Sequence, residues 1–364
     1  MKWASGLSTI SRRREFWECS EFGVERKNVK KILIITRNPI VNTRQMENTS
    51  GISRDGKFQF VINDWDCKPD FLVVNGKAVR ETRVFNVPKS RTILLTDEPY
   101  SVLAYPKGYY RQFGTVVTNQ QEIKSIDGTN VIHTHTFLPW YVGMTWEPDH
   151  SNRITLDYNQ IKDANPAKEK LMSVVSSYKT CSAGHVARRR FVNRLMARYG
   201  DKVELFGERV NDFRDKWDVT APYKYQIVIE NCCNRDYWTE KIADCFLAGT
   251  YPIYCGCTNI GDYFPKGAYT EIDVRKPEEA MAIIDRVIAD DLFAKHQAQL
   301  TESKQLVMDR YNMFNRLAEI CASIDDESEG QTTINPAKRY LSAHNLYLHL
   351  IGRTLHQFSY KIRK

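Results

Sequence analysis

Apolar positions in this chain come in short runs separated by turn-rich polar segments, not in long helical stripes. Ile32 to Ile35, set between Lys30-Lys31 and Arg37, reads as the buried part of a strand over Lys31 to Thr36 that Asn38-Pro39 ends. Phe58 to Asn63 and Phe71 to Asn75 repeat the pattern, with Asp55-Gly56 and Asn75-Gly76 as punctuation. Thr92 to Thr96, stopped by Asp97-Glu98-Pro99, and Thr115 to Thr118 complete a first set of strands. The polar stretch from Asn159 to Lys170, containing Asn165-Pro166, predicts a crossing between two units.

Beyond it strands and helices alternate. Leu171 to Ser176 predicts a strand, Val186 to Tyr199 a helix, and Val203 to Phe206 a strand closed by Gly207. Tyr225 to Ile229 is a further strand, followed by a helix from about Asp236 to Ala248 and a strand over Tyr251 to Cys255. Ala280, Ile283, Ile284, Val287 and Ile288 share one face of a helix that Pro277 can begin. Such alternation argues for an α/β fold with a parallel sheet between helices. With 364 residues, two domains are expected: 1–168, 169–330, and a separate tail over 331–364.

Composition narrows the class. Apolar residues are 42% and charged residues 26%, which excludes disorder as the main state. No run approaches the roughly 20 apolar residues that a membrane-crossing helix needs. The segment MKWASGLSTISRRREF is charged and lacks a signal-peptide core, so a cytoplasmic location is expected. Nine cysteines without a CxxC pair suit neither a zinc site nor a disulfide scaffold, and most read as small buried hydrophobes. The +8 charge suits an anionic ligand, membrane surface or nucleic acid without choosing among them. From Pro336 onward there are six lysines and arginines and no acid, with Tyr347, Leu350, Ile351, Leu355 and Phe358 on one helical face. Such a tail can lie on an anionic membrane, at its inner face for a cytoplasmic protein, or pack back on the body.

The chemically informative stretch is Tyr225 to Gly256, YQIVIENCCNRDYWTEKIADCFLAGTYPIYCG. A buried strand delivers Glu230 and Asn231 to its carboxyl end, and a helix then begins and is ended by Gly249. Ligands of open parallel sheets bind at that end, where helix N-termini favour anions. Lys241 near the helix start opposes the helix dipole, a conflict that an anionic ligand removes.

ENCCNRDYWTEK followed by AGTYPIYCG resembles the signature of the family 10 glycosyltransferases, the α-1,3/1,4-fucosyltransferases. The resemblance implies a GT-B fold, two Rossmann-like domains facing across a cleft, with GDP-fucose held by the C-terminal domain. It also implies that Asn231, Tyr237, Glu240 and Lys241 line the donor site, Glu240 at the ribose and Lys241 at the diphosphate. A second stretch, SSYKTCSAGHVARRRFVNRLMARYGDKVELFGE, is similar to the family segment that supplies a phosphate-binding arginine. Arg188, Phe191 and Leu195 fit its spacing, leaving Arg189 to solvent. LLTDEPYS resembles the segment whose glutamate faces the acceptor hydroxyl, which makes Glu98 the candidate general base, with Asp97 and Glu147 as competing acids. An ordinary glutamate, with a pKa of ~4.3, needs desolvation to serve as a base. Cys232 stands where the family usually has Ser, Ile229 where Phe is common, and Trp238 and Tyr251 where aliphatic residues are usual.

For activity, the resemblance implies an inverting fucosyltransferase that moves L-fucose from GDP-fucose to an oligosaccharide or lipid-linked glycan, such as a lipopolysaccharide side chain, with GDP as product. No metal or other cofactor is required by that scheme, although Mn2+ stimulates some members, and nucleic acid is not an expected partner. Rival readings are a GT-B enzyme using another nucleotide sugar and a non-catalytic nucleotide- or glycan-binding relative. Asp64-Trp65-Asp66 mimics a metal-binding Asp-x-Asp motif, and His133 with His135 would share a strand face without an evident third ligand.

Overall fold

Two parallel sheets organise the chain, and in both the strand order reverses direction once. The computed structural model describes residues 29–147, 152–176, 183–207 and 211–341. In the first unit, β1 (Lys30–Ile35), β2 (Phe58–Ile62), β3 (Phe71–Asn75), β4 (Arg83–Phe85), β5 (Thr92–Leu95), helix α1 (Lys107–Tyr110), β6 (Thr115–Thr118) and β7 (Asn130–His133) follow in sequence. All but β4 join a six-stranded sheet in the order β2-β1-β3-β5-β6-β7, every pair parallel. The hairpin β8 (Met144–Trp146) and β9 (Asn152–Ile154) and helix α2 (Tyr158–Asp163) lead to the second unit.

There, β10 (Lys170–Val175), α3 (Ala183–Tyr199), β11 (Val203–Phe206), β12 (Tyr223–Ile229), α4 (Glu240–Leu247), β13 (Tyr251–Cys255) and β14 (Thr270–Glu271) alternate. The sheet order is β11-β10-β12-β13-β14, again parallel. α5 (Pro277–Ala289), α6 (Leu292–Lys295) and α7 (Gln297–Met308) complete this unit, Pro277 opening α5 as its spacing predicts. In such an order the crevice for a ligand opens where the chain reverses direction, beyond the carboxyl ends of β10 and β12.

The second half of the chain does not stay in the second unit. α8 (Met313–Ala322) lays Met313, Phe314, Leu317, Ile320 and Cys321 against Ile32, Ile34, Phe60, Phe71 and Val73 of the first sheet. β15 (Thr332–Ile334) then pairs antiparallel with β4, and Ile334 and Ala337 join the core on the sheet's other face with Leu33, Ile35, Leu72 and Val74. Alternate residues of β1 thus enter opposite layers, as the two-residue period of a strand requires. The expected boundary at 330 therefore does not follow the packing, because α8 covers a face of the first sheet and β15 pairs with β4; of the separate tail expected over 331–364, Thr332–Ile334 and Ala337 join the first unit, and residues 342–364 lie outside the described residues. The proposed amphipathic face from Tyr347 to Phe358 lies outside the described residues. Among the described residues no helix is long and apolar enough to cross a membrane.

Two local expectations are corrected. The helix expected from about Asp236 begins at Glu240, because Asp236 takes a left-handed backbone (φ 59°) and Thr239 caps the helix by accepting from the Lys241 N–H. His133 and His135 do not share a strand face, since β7 ends at His133, which is exposed, and His135 turns inward. The His135 ring stacks on Trp238 with centroids 4.6 Å apart and planes 7° from parallel, inside an aromatic cluster with Phe137, Tyr263 and Tyr311. Its Nε2–H donates to the Tyr311 carbonyl at 3.3 Å and its Nδ1 accepts from the Thr134 hydroxyl at 3.2 Å.

Burial holds His135 neutral, with its pKa pushed down to about 3. The unfolded chain takes up a proton near pH 6.5 and the native one does not. The native state is therefore favoured above pH 6.5 and loses that advantage as pH falls toward 3, by up to about 1.4 kcal/mol per pH unit. His135→Phe keeps a ring against Trp238 and removes the titration, so the difference in urea stability between pH 7 and pH 4.5 should shrink by more than about 1.5 kcal/mol. An unchanged difference would show that His135 does not drive the acid limb.

Candidate functional site

The carboxyl ends of β10 and β12 and the start of α4 surround a cavity of about 370 Å3. Tyr141 comes from the first unit's exit segment; Val175, Gly207, Phe213, Lys216, Ile229, Glu240 and Lys241 belong to the second. Gly207 is required where it stands, because a Cβ there would lie 2.3 Å from the Ser176 carbonyl oxygen.

Glu230, at the end of β12, organises the polar side of this region. Its side chain has no exposed surface, so its charge must be met from within. One carboxylate oxygen accepts from the Thr239 N–H and hydroxyl at 2.9 Å. The other accepts from Lys241 Nζ at 3.0 Å. Lys241 also donates to Thr239 Oγ1 at 3.0 Å and lies 3.5 Å from Glu240. Burial works against the Lys241 ammonium, but Glu230 and Glu240 overcome it and hold its pKa well above the ordinary lysine value. Gly256 makes room for this arrangement, since a Cβ there would meet Glu230 Cγ at 2.5 Å and the Tyr254 hydroxyl at 2.4 Å.

Glu240, at the first position of α4, is disfavoured as an anion by burial, yet Lys241 and Lys216 hold its carboxyl below the ordinary range. Lys216 is buried and pairs with Asp244 at 2.7 Å. Asp244 in turn accepts from the Tyr141 N–H at 3.1 Å, tying α4 to the first unit. Arg188 lies one turn into α3 and is buried, whereas Arg189 and Arg190 are exposed. Burial lowers the Arg188 pKa and the nearby Glu230 partly restores it. Phe191 and Leu195 are buried on the same helix, anchoring it to the core.

The segment from Asn231 to Thr239 is clamped from the first unit. Gln121 Nε2 donates to Asp236 Oδ2 at 2.9 Å, Thr136 Oγ1 donates to the Trp238 carbonyl at 3.1 Å, and His135 stacks on the Trp238 ring. Asp236 keeps its left-handed backbone because its carboxylate also accepts from Asn259 Nδ2 and the Tyr263 hydroxyl, both at 2.8 Å. Tyr237 is thereby turned toward Glu98, and its hydroxyl lies 3.5 Å from Glu98 Oε2. Asn231 opens the segment, half-buried, directly after Glu230.

Glu98 is the acid of the first unit that meets this cluster. Burial raises its pKa, Lys241 partly offsets that rise, and Glu240 and Glu230 add to it. Asp97 instead accepts from Asn75 Nδ2 at 2.7 Å, with its carboxyl pushed up to about 7 by burial. Glu147 accepts from the Thr145 hydroxyl at 2.9 Å and faces Arg214 at 3.9 Å. Asp64-Trp65-Asp66 is an exposed bend after β2. Among the described residues no group of three or more His, Cys, Asp or Glu could hold a metal ion. Glu98, Tyr237, Glu240 and Lys241 thus meet around Glu230 with Arg188 nearby. Asn231 only follows Glu230 in the chain, and of the six expected site residues Glu240 and Lys241 line the cavity. Sequence reasoning passed over Lys216 and Tyr141, which carry no local motif, and over the organising role of Glu230, which stood inside the signature itself.

Residues 165–339 match the sequence profile described as glycosyltransferase family 10 (fucosyltransferase), C-terminal part. The chain is 31% identical over 143 residues to 4-galactosyl-N-acetylglucosaminide 3-alpha-L-fucosyltransferase 9 of Mus musculus, and likewise to the Homo sapiens protein. Each match covers 37% of this chain and 38% of the relative, so the chain spans well under half of the length of the curated relatives it matches. The fold resembles that of an alpha1,3-fucosyltransferase solved with GDP, at 13% identity and a TM-score of 0.50 over 85% of this chain and 94% of that one. An alpha1,3-fucosyltransferase solved with GDP-fucose superposes at 14% identity with a TM-score of 0.50 and the same coverage.

Glu230→Gln keeps the shape and leaves the Lys241 ammonium without its closest anion. Breaking a buried pair in this way should lower stability by on the order of 3 kcal/mol, read from urea unfolding at pH 7. A loss below about 1 kcal/mol would mean that Glu230 does not organise the site.

Proposed function

The chain belongs to glycosyltransferase family 10 through residues 165–339, and from that premise we propose that it transfers L-fucose from GDP-fucose to a hydroxyl of an acceptor glycan. Arg188 and Lys241 take the diphosphate, where their charges stabilise the negative charge that grows on the leaving GDP. Glu240 accepts hydrogen bonds from the ribose hydroxyls, while Asn231 and Tyr237 border the fucose. Glu98 removes the proton from the acceptor hydroxyl as its oxygen attacks the anomeric carbon of β-L-fucose. GDP leaves from the opposite face, so the configuration inverts and an α-linkage results. The observation that carries this reading is the position of Glu98, raised in basicity and 3.5 Å from Tyr237, against a cluster that holds Lys241 and Glu240.

The scheme uses protein cations at the diphosphate and requires no metal; a modest stimulation by Mn2+ is compatible with it. By analogy with the relatives' named substrate, a 4-galactosyl-N-acetylglucosaminide is the first acceptor to try, ahead of lipid-linked glycans. A cytoplasmic protein whose residues 342–364 rest on the inner face of an anionic membrane would meet the latter. Removing those residues should then lower sedimentation with vesicles containing anionic lipid and leave GDP binding intact; equal sedimentation of both proteins would refute the membrane contact.

Thermal-shift titration with GDP, GDP-fucose, GDP-mannose and UDP-galactose tests the donor, because a ligand of the native state raises its melting temperature by mass action. Stabilisation by GDP and GDP-fucose, weakened at least tenfold in Lys241→Ala, is expected. Preference for a different nucleotide sugar would overturn the fucose assignment. Glu98→Gln should reduce turnover by about 10²–10⁴-fold with GDP affinity retained. Because the base acts ionised and its pKa is raised, wild-type kcat/KM should fall toward acid at a higher pH than an ordinary glutamate would give, and this limb should be absent from the residual activity of Glu98→Gln. Full turnover in that variant would remove Glu98 from the reaction.

A further inference from the structure

Two thiols that the proposed reaction does not use meet beside the donor segment. Cys233 lies in the stretch between β12 and α4, and Cys255 ends β13, opposite Ile229 in the strand register. Their sulfurs are 4.0 Å apart in hydrogen-bond contact. A disulfide needs about 2.05 Å between sulfurs, so closing the gap asks for a movement of about 2 Å at the exposed Cys233, ahead of the clamped residues Asp236 and Trp238. The two differ in access: Cys233 is exposed and Cys255 is buried. That is the arrangement of an attacking thiol with a resolving partner behind it.

Reactivity follows the same division. The hydrogen bond from Cys255 lowers the Cys233 pKa, burial opposes this, and Arg275 adds to the lowering. Every other described cysteine is shifted the opposite way, Cys232 and Cys257 up to about 12 by burial. Among the described cysteines the exposed member of the pair is the one shifted toward the thiolate.

We propose that Cys233 and Cys255 are a modification site, a reversible dithiol–disulfide pair that responds to low-molecular-weight disulfides and tethers the segment of Asn231 and Tyr237 to β13. With oxidised glutathione, the Cys233 thiolate attacks one sulfur and expels a glutathione thiolate. Cys255 then loses its proton to solvent, attacks the Cys233 sulfur of the mixed disulfide and expels the second glutathione. Two electrons pass from the cysteine pair to the oxidised glutathione, which leaves as two reduced molecules. Drawing Cys233 toward β13 displaces the segment that the first unit clamps through Asp236 and Trp238, and so weakens GDP binding. That last consequence rests on the donor-site reading of the proposed function; the disulfide itself does not.

The test oxidises the full-length protein with excess glutathione disulfide and maps the peptides without reduction. A Cys233–Cys255 crosslink is expected in most molecules, reversed by dithiothreitol, retained in Cys232→Ser and lost in Cys233→Ser. A glutathione adduct that stays on Cys233, or a crosslink from any other cysteine, overturns the site. Calorimetric titration with GDP should show at least fivefold weaker binding to the oxidised protein, with Cys233→Ser indifferent to the oxidant. A crosslinked protein that binds GDP within twofold of the reduced one overturns the effect on the donor segment. Failure of the reduced wild type to bind GDP at all, with the crosslink intact, counts against the donor-site reading instead.

Discussion

A carboxylate sealed from water at the end of a central strand sets the geometry of everything around it. Glu230 has no solvent to stabilise its charge, so the Thr239 N–H, the Thr239 hydroxyl and the Lys241 ammonium must converge on it. Those three groups belong to the cap and first turn of α4, and satisfying the carboxylate fixes where that helix begins. The same pairing resolves the apparent misplacement of a lysine at a helix N-terminus: Lys241 answers a buried anion at the end of the strand before its own helix, and that anion outweighs the helix dipole. Glu240, alongside, is kept ionised by Lys241 and Lys216. The result is a pocket edge whose alternating charges hold one another in place.

The second constraint is the way the first unit grips the segment after Glu230. Gln121, Thr136 and His135 come from positions just after β6 and β7 and reach across to Asp236 and Trp238. The Trp238 ring is matched by the flat face of His135, which burial keeps neutral. The cleft is therefore bridged by a packed contact beside the polar one between Tyr237 and Glu98. The GT-B arrangement, two α/β units facing across a cleft, is completed by the chain's return: α8 and β15 belong by packing to the first unit although they come after the second. Motion between the units has to be absorbed at two crossings of the chain, not one.

Sequence by itself determined most of the elements and the strand, turn and helix from Tyr225 to Cys255 on which the site is built. The runs over β1, β3, β6 and β11 were legible because a buried strand is a local apolar run between turn residues. Asp236, Thr239, Gly249 and Gly256 stood in a fixed order because each answers a backbone or steric demand of its own neighbourhood: a left-handed turn, a cap, a helix end at φ 64° and a close approach to Glu230. Sequence resemblance named Glu98 ahead of Asp97 and Glu147, while tertiary structure alone decided that Lys216 and Tyr141 border the cavity, that His135 lies under Trp238, and that α8 covers the first sheet. These are contacts between segments tens to hundreds of residues apart, formed when apolar faces and buried charges find partners in space. Local periodicity carries no record of such partners, whereas spacing along one strand, turn and helix does.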